Sequence, residues 1–148
     1  MDLNPEVKNR IDRVINSQSI AVLGTSKDGE PYSCLVGFAL TNDLTELVFA
    51  TMRERLKYKH MIANPRVTLM IDDRNEQQSD FNDTTSITIV GSAEDTEGED
   101  CAKYTSLLLA RQPALTEFVS SSDCAVMRVA IDKIYVVSEF ESVVKIGV

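Results

Sequence analysis

The chain has no tryptophan, a single histidine, four prolines and three cysteines in 148 residues, and each scarcity removes a class of explanation. The lone imidazole, His60, cannot supply a histidine-based metal centre. Cys34, Cys101 and Cys124 are odd in number and show neither a CxxC pair nor the Cys/His spacing of a zinc site, so no metal is expected. Cys34 and Cys124 lie in apolar, strand-like runs, the usual place of buried structural thiols. No apolar run approaches the roughly 20 residues of a bilayer span. The opening MDLNPEVKNR carries two acids and no hydrophobic signal core, so a cytoplasmic location without membrane contact is expected. Bases are in the minority, 15 Lys and Arg against 23 Asp and Glu, for a net charge of −8. With no basic stripe interleaved with aromatics, nucleic-acid binding is not expected either. The acids Asp72, Asp73, Asp80 and Asp83 do not follow the spacing of a calcium-binding EF-hand and read as a solvated loop.

What remains is the composition of an ordinary folded domain, 43% hydrophobic and 26% charged, expected to form one unit over residues 1–148. Asn4 as N-cap, Pro5 at the first helical position and Val7, Ile11, Val14 and Ile15 on one face predict an opening amphipathic helix. From Ser19 the period changes. SIAVLGTS and PYSCLVGFAL flank a turn centred on Asp28-Gly29, a β-hairpin, and TNDLT then turns into ELVFAT. Arg53 to Ala63 has good helix formers and is stopped at Asn64-Pro65. RVTLMID and SITIVGSAEDT are strands, with Gly91 a candidate bulge. Glu99 to Ala110 reads as a helix burying Leu107, Leu108 and Ala110, and Pro113 to Val119 as a shorter helical piece using Leu115 and Phe118. CAVMRVAIDKIYVVSEF and the apolar end from Val143 complete the pattern. About six antiparallel strands with a few short helices predict a small closed barrel, because closure removes exposed sheet edges.

One segment stands apart from the acidic background. Between Phe49 and Ile71 lie Arg53, Arg55, Lys57, Lys59 and Arg66, with Glu54 the sole nearby acid. A protein of this net charge repels polyanions, so a local cationic cluster suggests a specific small anion, with a phosphate-bearing cofactor the first choice. Over a helix from Arg53, the side chains of Arg53, Lys57 and His60 share one face and Arg55 and Lys59 another. Thr51, just ahead, offers a hydroxyl and backbone N–H groups near the positive end of the helix dipole. The alternative is a solvated helix face. Tyr58, Met61 and Ile62 share a further face and read as core contacts.

The order DGEPY, a strand, a short turn, ELVFAT, then T-x3-R-x-K with NPRV beginning seven residues after the lysine resembles the pyridoxamine 5′-phosphate oxidase-like family of FMN-binding split barrels. The likeness is good over Ser19 to Asp73 and loose elsewhere. It implies a mainly β, α+β domain, a six-stranded antiparallel split β-barrel, in a homodimer with FMN in a groove at the subunit interface. By position, Ala50 and Thr51 at the end of the third strand, with Arg53, Arg55, Leu56 and Lys57 at the start of the helix, correspond to the phosphate-contacting stretch. Ser33, Cys34, Leu35 and Val36 resemble the strand that runs beneath the isoalloxazine ring. The oxidase proper has an arginine after its Pro-Tyr pair and a lysine at that strand's end, where this chain has Ser33 and Phe38. It also has a tryptophan-containing segment that this chain lacks. The resemblance therefore implies an FMN-binding protein, an oxidoreductase of unassigned redox substrate with no identified catalytic residue, and not pyridoxamine phosphate oxidation. Two alternatives stay open. A deazaflavin coenzyme would suit the extra cations and the Arg55-Leu56-Lys57 pair, and a non-catalytic or haem-binding dimer would have His60 as its only available imidazole and Cys34, Cys101 and Cys124 as its only thiolates.

Overall fold

In the computed structural model, which describes residues 3–74, 84–138 and 142–148, the side chain of Asn4 accepts the Glu6 N–H at 2.8 Å and opens helix α1 (Pro5–Ser17). Proline at the first position costs nothing there, since that N–H has no intrahelical acceptor. Ile11, Val14 and Ile15 are buried on the inner face, as their spacing predicts. Strands β1 (Ile20–Lys27) and β2 (Glu30–Gly37) then pair antiparallel. Asp28 and Gly29 have φ of 52° and 81°, the left-handed pair that a two-residue hairpin turn requires.

The following elements are β3 (Ala39–Leu40), β4 (Glu46–Met52), α2 (Leu56–Ala63), β5 (Arg66–Asp72) and β6 (Ser86–Asp95). The chain continues through α3 (Gly98–Arg111), a 3-10 turn (Pro113–Leu115), α4 (Thr116–Val119), the long β7 (Cys124–Ser138) and β8 (Ser142–Gly147). All strand pairs are antiparallel in one sheet of order β2-β1-β5-β6-β7-β4-β3, with β8 also paired to β7. The two ends of that order, β2 and β3, are consecutive in sequence and separated only by buried Phe38. The sheet therefore curls until one run of chain serves both edges, a split barrel, with eight strands among the described residues where six are predicted. The difference is that the expected strand PYSCLVGFAL divides at Phe38 into β2 and the two-residue β3, and that the apolar end from Val143, expected to add a last short strand, forms β8.

The barrel is filled by a cluster that includes Leu23, Phe38, Phe49, Leu69, Ile87 and Met127, joined by the apolar face of α1. A second cluster, with Val48, Tyr104, Leu108 and Val126, lies where α3 packs outside β3, β4 and β7. Three expectations need correction. The α2 helix begins at Leu56 and not at Arg53, because Arg55 is extended at φ −76°, ψ 149° and serves as N-cap. Within α2, Met61 is buried but Ile62 is 60% exposed, and His60 takes an inward place. In α3 the buried residues are Tyr104 and Leu108, while Leu107 is half-buried and Ala110 is exposed. Gly91 does mark a bulge, since the register between β6 and β7 shifts between Val90 and Gly91. The calcium question at Asp80 and Asp83 lies outside the described residues.

Candidate functional site

Strands β2 and β4 and the start of α2 converge on a cavity of about 420 Å³. It gathers seven of the expected cofactor residues, Leu35, Val36, Ala50, Thr51, Arg55, Leu56 and Lys57. They arrive together because β4 and β2 approach across the split of the barrel while the turn after Met52 lays α2 beside the opening. Thr51 is fully buried and its hydroxyl donates to the Met52 carbonyl at 3.2 Å. The N-terminus of α2 carries no side-chain cap and no acid in its first turn; the Tyr58 N–H donates to the Arg55 carbonyl at 3.1 Å, and those of Leu56 and Lys57 can meet an acceptor from outside the helix. Among the described residues, neither Arg55 nor Lys57 has a carboxylate within ion-pair distance.

Three expected residues stand elsewhere. Arg53 is anchored away from the cavity. Its Nε and Nη2 donate to Asp95 at 3.2 and 3.4 Å, and its Nη1 donates to the Cys124 carbonyl at 3.0 Å. The Tyr58 hydroxyl donates to the same carboxylate at 2.9 Å. Burial alone would lower the Arg53 guanidinium, but the hydrogen bond to Tyr58 and the charge of Asp95 outweigh it and raise its pKa. Cys34 lies on the opposite side of β2 from Leu35 and packs against the barrel core. Burial pushes its thiol up, against a smaller downward pull from the Lys57 charge. Ser33 lines a separate groove of about 480 Å³ with Gly24, Arg66 and Thr68.

His60 is 5% exposed and lines neither space. Its Nδ1 is 3.0 Å from the Thr25 hydroxyl and its ring meets Tyr32 edge-on at 6.0 Å. The packing role, not that of an open axial ligand, is the one this geometry supports. Sequence reasoning missed Tyr32, Gly37, Met52, Leu115 and Phe118 as lining residues. Tyr32, Gly37 and Met52 adjoin expected positions and could have been found by extending them. Leu115 and Phe118 come from the distant 3-10 turn and α4, which no local pattern links to β2.

Among the described residues, the lining holds Arg55 and Lys57 at the start of α2 and no carboxylate or imidazole. It can bind and orient an elongated, partly apolar anion, and it offers no side-chain general base. The charge distribution thus suits a phosphate at α2 and a flat apolar body along β2.

Residues 7–138 match the family model described as pyridoxamine 5′-phosphate oxidase. No curated protein matches the chain in sequence. Among solved structures, the fold is similar to the heme binding protein from Mycobacterium smegmatis, with a TM-score of 0.84 and 18% identity over 99% of this chain and 60% of that one. The chain thus spans less than two thirds of that protein. It is also similar to general stress protein 26 from Bacillus anthracis, with a TM-score of 0.71 and 19% identity over 95% of this chain and 99% of that one. A FAD-binding protein from Mesorhizobium loti gives 0.69 and 18% over 86% and 90%. At these identities the likeness is one of fold.

Proposed function

Because this chain belongs to the pyridoxamine 5′-phosphate oxidase family, matched over residues 7–138, we propose that it binds flavin mononucleotide in the cavity between β2, β4 and α2. The observation that carries the reading is the pair Arg55 and Lys57, without carboxylate partners among the described residues, at the uncapped start of α2. A phosphate there would receive charge-assisted hydrogen bonds from both side chains and the first-turn N–H groups. The Leu35 side chain and the β2 backbone at Val36, whose own side chain faces the core, would border the flat ring, with Ala50 and Thr51 of β4 also in the lining. When bound, the flavin supplies reversible two-electron redox chemistry, and the protein's part is binding, orientation and exclusion of water. The function proposed is an FMN-dependent oxidoreductase in which no side chain moves a proton at the site.

The name of the Mesorhizobium protein is consistent with a flavin on this fold. A deazaflavin coenzyme draws its support from a surplus of cations. With Arg53 tied to Asp95, that surplus shrinks. The name of the Mycobacterium protein is consistent with the haem alternative, but the one imidazole, His60, is buried against Thr25, which leaves the thiolates of Cys34, Cys101 and Cys124 as its candidate ligands. We further infer a homodimer, since Ile20 is 54% exposed, Leu35 66% and Leu56 49%, and the last two border the open cavity.

The test is titration of the purified protein with FMN, followed by quenching of flavin fluorescence. Lys57→Ala should weaken binding by about 1.5–3 kcal/mol, the scale of a hydrogen bond to a charged group, or roughly 10- to 150-fold. An unchanged dissociation constant would remove Lys57 from the site. A protein that ignores FMN yet gives a Soret band with added haem would overturn the proposal.

A further inference from the structure

Arg55 and Lys57 lie between two side chains that meet at a single carboxylate. Asp95 ends β6, where its backbone pairs with Met127 of β7. Its carboxylate accepts Arg53 Nε at 3.2 Å, Arg53 Nη2 at 3.4 Å and the Tyr58 hydroxyl at 2.9 Å. The rest of Arg53 is engaged as well. Its Nη1 donates to the Cys124 carbonyl at 3.0 Å and the Ser122 carbonyl at 3.4 Å, and its backbone N–H donates to the Asp123 carbonyl at 2.9 Å. The chain is therefore tied to β6 and to the start of β7 just before Arg55 and again just after Lys57. The sequence around the helix start supplies no substitute for this tie. Helix α2 has eight residues and no side-chain cap, whereas a cap is what ordinarily fixes a first turn and a helix so short is marginal by itself in water.

We propose that Asp95 is a positioning residue for the phosphate seat: through Arg53 and Tyr58 it sets where the first turn of α2 presents Arg55, Lys57 and the N–H groups of Leu56 and Lys57. The inference rests on the FMN reading and deepens it. A ligand-contacting group keeps its geometry only when a second layer of hydrogen bonds holds the element that carries it, and Asp95 supplies that layer from a strand far along the chain. Charge alone gives the opposite sign. A carboxylate near a phosphate repels it, and removing Asp95 would also release Arg53 as a further cation. Alignment of the turn and simple electrostatics thus make opposed predictions for the same substitution.

Asp95→Asn is compared with the unaltered protein by titration with FMN and with riboflavin, which carries the same ring without the phosphate. The FMN dissociation constant should rise about three- to tenfold, the scale on which residues acting through others alter binding, and the riboflavin constant should not change. Tyr58→Phe removes only the hydroxyl bond to Asp95 and should move the FMN constant the same way by less. It also decides the matter if Asp95→Asn does not fold, with folding of both followed by thermal melting. An FMN constant that stays the same or falls overturns the proposal. So does an equal loss of FMN and riboflavin, which is what a merely structural role would give. If riboflavin is too weak to titrate, the phosphorus resonance of protein-bound FMN decides. It should shift in the variant while the visible absorption of the ring stays, and an unmoved resonance overturns the proposal. Failure of the unaltered protein to bind FMN removes both readings, and its own titration reports that separately.

Discussion

Arg53 and Arg55 stand two positions apart and do different things. The Arg53 side chain is about as exposed as that of a typical surface ion-pair arginine, 37%, but its partner Asp95 is only 20% exposed and also receives Tyr58. Arg53→Met should therefore cost about 1–2 kcal/mol in urea unfolding, the net worth of a few partly screened hydrogen bonds, and change FMN affinity less than Arg55→Ala does. If Arg53→Met instead weakened FMN as much as Lys57→Ala with stability unchanged, Arg53 would return to the site. The sequence could not separate the two arginines, because the deciding partner, Asp95, lies on β6. His60 makes a second case. Thr25 is its hydrogen-bond partner and both are buried, so Thr25→Val should leave an imidazole nitrogen unsatisfied and cost about 1–3 kcal/mol by thermal or urea unfolding. Wild-type stability in that variant would mean that water reaches Nδ1.

The bulge at Gly91 shows what an element can demand of one residue. A Cβ there would press into the Ala130 carbonyl oxygen of the paired strand and lie 2.8 Å from Val129 Cγ1, and backbone cannot step aside. Gly91→Ala should cost about 1–3 kcal/mol, the usual range for overpacking. At Gly24 the obstacle is the Thr68 hydroxyl at 2.5 Å, so Gly24→Ala should cost less because a side chain can rotate. Comparable losses would show that β1 and β5 cannot adjust. The outer helix α3 is held by a different device. Tyr104 donates to Glu46 on β4, and Arg128 on β7 bonds Glu46 and, at 3.0 Å, Glu94. Burial pushes the Glu46 carboxyl up, but the hydrogen bonds from Tyr104 and Arg128 outweigh it and hold it below its ordinary range. A carboxyl lowered in the folded state stabilises above the unfolded value of about 4.3 and loses that contribution as pH falls through the folded value. Unfolding midpoints taken from about pH 6 to about pH 3 should thus fall more for wild type than for Glu46→Gln. Parallel curves would remove Glu46 from the acid response. These elements differ in how far they could be read in advance. The Asn4-Pro5 start, the Asp28-Gly29 turn and the Gly91 bulge follow from local stereochemistry. The late start of α2 depends on Arg55 N–H bonding back to the Met52 carbonyl at 3.1 Å and on Arg53 N–H reaching Asp123, and helix propensity carries no trace of either.

At the scale of the molecule, the curl of the sheet makes one short run, Gly37 to Ala39, both the end of one edge and the start of the other. That closure explains why residues of β2, β4 and α2 that the family motif spreads over the chain share one cavity. The wall from α4 was not legible in the sequence because it comes from packing of the second core cluster, across long sequence separation. Closure also leaves exposed apolar side chains beside the site. Ile20 and Leu35 come from the paired strands β1 and β2, and Leu56 begins α2. An isolated exposed leucine needs no explanation, but a group beside an open ligand cavity marks a surface that association would cover. If a second copy covers it, Leu35→Glu should place a charge in that contact, shift sedimentation from dimer to monomer and weaken FMN by at least tenfold, since the flavin would lose its cover. The two readouts separate the possible roles of Leu35. A variant that stays dimeric but loses FMN makes Leu35 a ring contact only. A monomer that binds FMN as tightly as the unaltered protein means that one barrel suffices to hold the cofactor, and the apolar group must then be explained by something other than the cavity it borders.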